Sequence, residues 1–556
     1  MKIRVSELIV RYLERLGVET IFGMPGAHIL PVYDSLYDSS IQSVLAKHEQ
    51  GAAFMAGGCA RASGKIGACI TTAGPGATNL VTGIANAYAD KLPVIVITGE
   101  APTYIFGKGG LQESSGEGGS IDQNSLFKGI TRYNRVIERT DYLANVLNQA
   151  SRILLADSSG PVLLSFPYNI QKELVDESIL DHVITEKHIH SIRNLSLPVE
   201  ELAHLTAQAS NPVIIAGYGS IKAGAQNEID ELSQRLNIPV TTSLKGKGVI
   251  SERSDRSLGS LGVTSYSQAY NYIVEKADLI LILGAGFNER TSYLWDRTLL
   301  EGKKIIQVDT DAEQLEKVFK ADLAILGDIK QVIAGTLEQL DKLAIDKQGT
   351  AKAQQYIDSQ LPLAEDSDVE LFNQRFALIK QLFDHIEEHF AENMMIFDDN
   401  IIFAQNFFNV SNGNRYYSNS GVSSLGHAIP AAIGARFTIQ QPTLAVLGDG
   451  GFQMCCMELM TAVNYNIPLT VIMFNNATMG LIRKNQFQQY DKRFIDCDFI
   501  NPDFRLLAES FGIQYRKVEQ QDDLNGLFES LDYNNDINLI EVIIDKDLFP
   551  SYTSRR

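Results

Sequence analysis

An acidic residue stands where an apolar run breaks into glycines, in Val446-Leu447-Gly448-Asp449-Gly450-Gly451. A second apolar run, residues 469–474, ends in Asn475-Asn476. Residues 443–447 read as a strand, 457–465 as a helix and 469–474 as the next strand, a short βαβ unit. Its right-handed crossover puts both strand ends on one sheet edge, where open α/β sheets bind ligands. Asp449 and Asn476 then offer a carboxylate and an amide oxygen to one point, hard ligands suited to Mg²⁺ or Ca²⁺. Magnesium shares its sites with phosphate oxygens, and Gly448, Gly450 and Gly451 would let backbone N–H groups approach such phosphates. Two other readings stand beside this one. Asp449 could merely cap the following helix, and a dinucleotide site is disfavoured because the glycine spacing is not G-x-G-x-x-G. The Asn475-Asn476 pair tips the reading towards a metal-bound diphosphate.

A carboxylate near the other end of the chain could handle protons. Glu49 lies between the strand-like SVLA (43–46) and an Ala/Gly-rich helix beginning near Gln50. Burial among these apolar flanks would raise its pKa and let it exchange a proton at neutral pH; capping the helix start is the bland alternative. Gly74, Pro75, Gly76 and Asn79 form a glycine-rich turn before a helix, which alone would suggest phosphate binding. His28 and His427 could each donate a proton or bind a carboxylate, although a satisfied structural histidine is the commoner case. Arg483 and Lys484 could meet an acidic substrate; a solvated charge pair on a helix is the alternative.

The elements that must position these groups alternate almost throughout between apolar strands and amphipathic helices, which indicates parallel sheets covered by helices. At 556 residues the chain is too long for one core, and three domains are the expected partition. Approximate boundaries are 1–175, 190–345 and 365–550, with polar, linker-like stretches at 171–198 and after Leu343. The fold class is α/β, with three doubly wound parallel-sheet domains of similar pattern. A formal charge of −19 leaves no basic excess for a nucleic-acid partner. No uncharged run approaches the roughly 18 residues of a membrane span, and the charged N-terminal helix is no signal peptide. The five cysteines lack metal-ligand spacing, as expected of buried thiols in a reducing cytoplasm.

GDG, a helix, a strand and then NN resembles the thiamine-diphosphate (ThDP) motif. The whole chain is similar to the acetolactate synthase branch of ThDP-dependent enzymes, because further family stretches recur in order: FGMPGA (22–27), KHEQGAAFMAGGCARASG (47–64), TTAGPGATN (71–79), LQE (111–113) and LGHAIPAAIGA (425–435). The resemblance implies Mg²⁺ held by Asp449, Asn476 and the backbone carbonyl of Thr478. It places Glu49 at the cofactor's pyrimidine nitrogen, where an acid favours the tautomer that deprotonates the thiazolium carbon. Leu425 takes the position of the bulky residue that bends ThDP and brings amine and thiazolium together. Pro75, Asn79, Asn400, Ser423, Gly448, Gly450, Gly451, Met479 and Gly480 are the further implied cofactor contacts. The family binds pyrimidine with one subunit and diphosphate with its partner, implying a homodimer or homotetramer.

Substrate-facing positions depart from the biosynthetic pattern. Asn485 stands for the family's substrate-selecting tryptophan, Leu481 for a methionine and Leu111 for a phenylalanine, while Gln112 remains to contact substrate or ThDP. The Gly/Ser-rich loop after it is longer than the family's and reads as flexible. Ala27 and His28 face the substrate in this alignment. In the central domain Gly286 replaces an arginine, which counts against FAD; ADP or an empty fold is the alternative. The expected activity is decarboxylation of a 2-keto acid, pyruvate first, with transfer of the resulting unit to a second carbonyl compound in the cytoplasm. A sulfoacetaldehyde-acetyltransferase-like enzyme, suggested by the RKNQ run after NN, another ThDP lyase or decarboxylase, and a non-catalytic ThDP-binding paralogue are the alternatives.

Overall fold

A computed structural model describes residues 1–186, 196–347, 351–360, 368–390, 392–411 and 413–549. Among these, three six-stranded sheets are parallel throughout. The N-terminal sheet is built from Thr20–Gly23, Gln42–Leu45, Gly67–Thr71, Val94–Glu100, Tyr133–Val136 and Val162–Pro167. The C-terminal sheet is built from Met395–Asp398, Arg415–Ser418, Thr443–Gly448, Leu469–Asn475, Gln514–Val518 and Ile537–Ile543. Counted along the chain, the strands of both sheets lie in the order 2-1-3-4-6-5. The central sheet, beginning with Pro212–Ala216 and ending with Leu323–Leu326, instead runs 3-2-1-4-5-6. The expected likeness of the three thirds is therefore topological identity for two of them. Their central strands are buried on both faces, and so read as continuous apolar runs such as Val94–Glu100.

In each of the two matching sheets, strand 2 leads into a helix: Glu49–Ser63 and Ala428–Arg436. Gly51 to Ala62 and Ala428 to Arg436 are buried, and such all-round apolar helices belong in a core. The two helices pack on each other through small residues. A Cβ at Gly58 would lie 2.0 Å from the Ala431 carbonyl oxygen, and one at Gly434 would lie 2.0 Å from that of Met55. The starts of these helices are thereby fixed relative to one another. A buried Asp90, pulled down to a pKa of about 2 by Arg61 and Lys245 against the upward effect of burial, ties the N-terminal domain to the central one.

Both stretches read as linkers carry structure where they are described. Leu174–Asp176 pairs antiparallel with Lys2–Arg4, so the chain's first strand closes on the end of its first domain. Lys352–Gln360 is a helix whose Tyr356 is buried, edge-on to Tyr272 and donating to Glu275 at 2.9 Å. Polar composition hid these elements because each buries only a few residues. Residues 187–195, 348–350 and 361–367 lie outside the described residues. Among the described residues no helix is long and apolar enough to cross a membrane.

Candidate active site

Strand Thr443–Gly448 ends at the C-terminal sheet's switch in strand order, and Asp449 opens the helix Asp449–Cys455. Asp449 is buried. Its Oδ2 accepts from Ala477 N at 2.7 Å, Asn501 Nδ2 at 2.8 Å and Asn476 N at 3.2 Å, and its Oδ1 accepts from Gly450 N at 2.9 Å. Burial pushes the carboxyl up, opposed by these donors. Asn476 Oδ1 accepts from Thr478 N at 3.3 Å, and Thr478 is pinned by a hydroxyl bond to Cys497 O and a backbone bridge to Asp498. Asp449 thus meets the turn that carries Asn476 and Thr478. Among the described residues no group of three or more His, Cys, Asp or Glu could hold a metal. This set, with one carboxylate plus neutral oxygens, suits a hard cation that shares its shell with phosphate. The glycines leave the turn open: a Cβ at Gly450 would lie 2.8 Å from Met479 Sδ and one at Gly480 3.0 Å from Asn476 Nδ2, both ends of side chains that can yield, and Gly448 meets nothing nearer than 4.0 Å.

A second turn closes over the first. Asp399, at the end of Met395–Asp398, accepts from Gly426 N at 2.6 Å, from His427 N at 3.2 Å and from Asn419 Nδ2 at 3.2 Å. A Cβ on Gly451 would lie 3.3 Å from Asp399 Oδ2 and 3.9 Å from Leu425 Cβ, so Asp399, Leu425 and Gly451 meet. Burial, reinforced by Asp398, pushes Asp399 up to about 7. Asn400 and Ser423 both take left-handed backbone (φ 62° and 60°), and Asn400 Oδ1 is buried without a hydrogen-bond partner. His427 lies edge-on to Phe54 at 5.2 Å, and burial drives its pKa down to about 3. Its ring packs between the two helices, and its Nδ1 is buried without a hydrogen-bond partner. Asp399 and Asn501 carry no motif signal in the sequence; only their hydrogen bonds in the folded chain show them.

On the N-terminal side, Glu49 is the first residue of its helix and accepts from Asn79 Nδ2 at 2.9 Å. The side-chain cap of the helix is His48, whose Nδ1 accepts from Gln50 N at 3.1 Å, while Glu49 stands in the first turn, where the helix dipole also favours an acid. The burial expected of Glu49 is not found in the single chain: it is half-buried, and its partner Asn79 is exposed, as are Ala27 and Pro75. His28 is buried, and burial lowers its pKa against the opposing effect of its Gln112 neighbour. Gln112 has φ 52° and rests on the Gly74 turn, where a Cβ would lie 3.1 Å from its own. The chain on either side of Gln112 is hydrogen-bonded to buried or turn-held acids. Glu113 accepts from Gly107 N, Gly110 N and Ser115 Oγ. The wholly buried Glu100 accepts from Ser114 N at 3.0 Å, and Ser114 Oγ accepts from Gly74 N.

Residues 3–123, 199–336 and 400–542 match, in turn, the N-terminal TPP binding domain, the central domain and the C-terminal TPP binding domain of thiamine pyrophosphate enzymes. The chain is 34% identical to the probable acetolactate synthase large subunit of Methanocaldococcus jannaschii, over 97% of this chain and 92% of that one. It is 32% identical to the acetolactate synthase large subunit of Lactococcus lactis (97% and 92%) and 29% identical to that of isozyme 2 from Escherichia coli (97% and 95%). The chain belongs to the thiamine pyrophosphate enzyme family.

In this thiamine pyrophosphate enzyme, Leu481 and Asn485 share one face of the helix Gly480–Gln489 at a spacing of i, i+4, Leu481 exposed and Asn485 half-buried. Arg483 is committed elsewhere, paired with Asp498 and Asp547 at 2.7 Å each and stacked on Phe494, so it does not await an acidic substrate. Lys484 is buried rather than solvated, with its pKa lowered to about 8 by desolvation. At the switch in the central sheet lies a cavity of about 650 Å³ lined by Gly219, Gly284, Gly286, Arg290, Asp309 and Asp311 among others. Asp311 is already paired with Lys91.

Proposed function

We propose that the chain decarboxylates a 2-keto acid, pyruvate first, and joins the remaining unit to a second carbonyl compound, using ThDP and Mg²⁺. The observation that carries this reading is the meeting of Asp449 with the turn of Asn476 and Thr478, at the switch edge of a sheet whose topological twin carries Glu49. The relatives' names, acetolactate synthase large subunits, supply the reaction class. When bound, the cofactor supplies a nucleophilic carbon for the keto group and an electron sink for the departing carboxylate. Asp449, Asn476 and the Thr478 carbonyl hold Mg²⁺ and through it the diphosphate, near Gly448, Gly451 and Asn400. Leu425, next to the Gly426 N–H that Asp399 holds, would pack against the cofactor and favour its bend, with Ser423, Met479 and Gly480 as further contacts. Glu49 holds and moves a proton at the pyrimidine nitrogen, with Asn79 orienting its carboxylate and Pro75 lining the ring. Gln112 and the neutral His28 offer hydrogen bonds to the substrate oxygens, while Ala27, Leu481 and Asn485 shape the acceptor pocket. The central cavity would take a nucleotide such as ADP in preference to FAD.

The site is shared between two copies. Glu49 is half-open in the single chain, and apolar side chains stand exposed on both rims: Tyr104 and Leu111 beside Gln112, Ile482 and Phe487 beyond Asn476. Covering one rim with the other, by a two-fold pairing, would bury Glu49 and complete the pocket. Glu49→Gln and Asp449→Ala test this when co-expressed. Each alone should be inactive, and random pairing should restore one working site in about four. No recovery in the mixture would sink the shared site, and full activity of either single variant would sink the residue roles.

A further inference from the structure

We infer that Glu458 is a positioning residue for Glu49: a carboxylate of the C-terminal domain that holds, within one chain, the backbone from which Glu49 projects. This rests on the reading that Glu49 handles the cofactor's proton. Glu458 closes the short turn Cys456–Glu458 just after the helix Asp449–Cys455, and it is 3% exposed. Its Oε1 accepts from His48 N at 2.9 Å, and both oxygens lie 3.1 Å from Lys47 N. Thr461 Oγ1 donates to Oε2 at 2.7 Å and fixes the carboxylate's rotation. The approach is so close that a Cβ at Gly51 would lie 2.1 Å from Oε1, so any side chain there would displace the Glu458 carboxylate. Tyr465 adds a second fastening, its hydroxyl accepting from Leu45 N at 2.8 Å.

The turn that presents Glu49 is therefore held by its own C-terminal domain, not by its own sheet alone. The matching turn of the C-terminal domain is built the same way. There Asp399 takes the N–H groups of Gly426 and His427 ahead of the helix Ala428–Arg436, as Glu458 takes those of Lys47 and His48 ahead of Glu49–Ser63. In both cases a buried acid satisfies two N–H groups at a helix start, with Glu49 directly after the first pair and Leu425 directly before the second. Removing the acid leaves buried donors unpaired, and the turn relaxes to find water or another acceptor. A displacement of about 1 Å at a reacting group is enough to cost orders of magnitude in rate.

The test is the rate at which bound ThDP exchanges its acidic thiazolium proton for deuterium, measured on protein with ThDP and Mg²⁺ by rapid quench and NMR. Glu458→Ala should slow exchange roughly tenfold or more, while ThDP affinity stays near the parent value. Glu458→Gln keeps an acceptor for both N–H groups and should restore most of the rate. Glu49→Gln combined with Glu458→Ala should be no slower than Glu49→Gln alone, because both act on one group. Should Glu458→Ala fail to fold, Glu458→Asp carries the test: one methylene short of the turn, it must be slow where Glu458→Gln is fast. Exchange unchanged in Glu458→Ala or Glu458→Asp, or fully additive losses in the double variant, overturns the inference. If Glu49→Gln itself leaves exchange unchanged, the reading of Glu49 falls and this inference with it. If Glu49→Gln abolishes exchange and Glu458 variants do not slow it, only the positioning role falls.

Discussion

Gly57 and Gly58 are neighbours in the helix Glu49–Ser63, yet alanine should have opposite effects at the two positions. A Cβ at 58 would lie 2.0 Å from the Ala431 oxygen and 2.6 Å from its carbonyl carbon, whereas at 57 the nearest atom is Leu92 Cδ1 at 3.6 Å. Both obstacles at 58 are backbone and cannot rotate away, so the helices Glu49–Ser63 and Ala428–Arg436 must separate by about 1 Å or more. A gap of that size forfeits roughly a quarter to a half of the dispersion energy of each contact across the interface. Overpacking of a core typically costs about 1–3 kcal/mol, and the upper end applies when nothing flexible can yield. Replacing a helix-interior glycine by alanine returns up to about 1 kcal/mol at either position. Gly58→Ala should therefore be destabilised by about 2 kcal/mol, while Gly57→Ala should be neutral or stabilised by up to about 1 kcal/mol. Glu49 begins one helix and Leu425 stands just ahead of the other, so Gly58→Ala should also lose activity far beyond its folded fraction. Urea denaturation and ThDP-dependent CO₂ release from pyruvate measure the two effects. Equal stability of the two variants, or a fully active Gly58→Ala, would refute the packing argument.

Other expectations follow from single sites. Burial holds Glu100 up to about 7 against an ordinary 4.5, so the folded chain binds this proton more tightly than the unfolded chain does. The stability this gives is full below pH 4.5 and is lost as pH rises through 7; Glu100→Gln should gain on the parent by about 2 kcal/mol between pH 5 and 8 in denaturation, and a parallel pH dependence would contradict this. Asp449→Ala should abolish Mg²⁺-dependent ThDP binding in calorimetry, and retained binding would remove Asp449 from the metal site. Asn485→Trp should shift the ratio of products formed from pyruvate with and without a larger 2-keto acid as acceptor, with unchanged ratios placing Asn485 outside the pocket. If Gly286 stands in place of a flavin-binding arginine, as the family resemblance implies, denatured protein should release no flavin fluorescence; stoichiometric flavin would contradict this.

The sheets were legible because strands such as Val94–Glu100 and Leu469–Asn475 are buried on both faces, which leaves long apolar runs in the sequence. The Asp449 turn was legible because its chemistry is local, one βαβ unit long. What stayed hidden is long-range. Glu458 and Asp399 act on backbone N–H groups, which have no residue signature, and Asn501 reaches Asp449 from 52 residues away. The short pairing of Lys2–Arg4 with Leu174–Asp176 carries no periodicity. The roles of His427 and Arg483 turned on burial and on partners distant in sequence, a ring on another domain and an aspartate 64 residues on, which composition does not contain.

The account rests on decarboxylation coupled to carbon–carbon bond formation, and one measurement meets it directly. Protein supplied with ThDP and Mg²⁺ is incubated with labelled pyruvate, and CO₂ and products are followed by mass spectrometry, with Glu49→Gln in parallel. The expected result is CO₂ release together with a five-carbon acetolactate product, both lost in Glu49→Gln. Absence of any turnover, or CO₂ release with only free acetaldehyde, would contradict it.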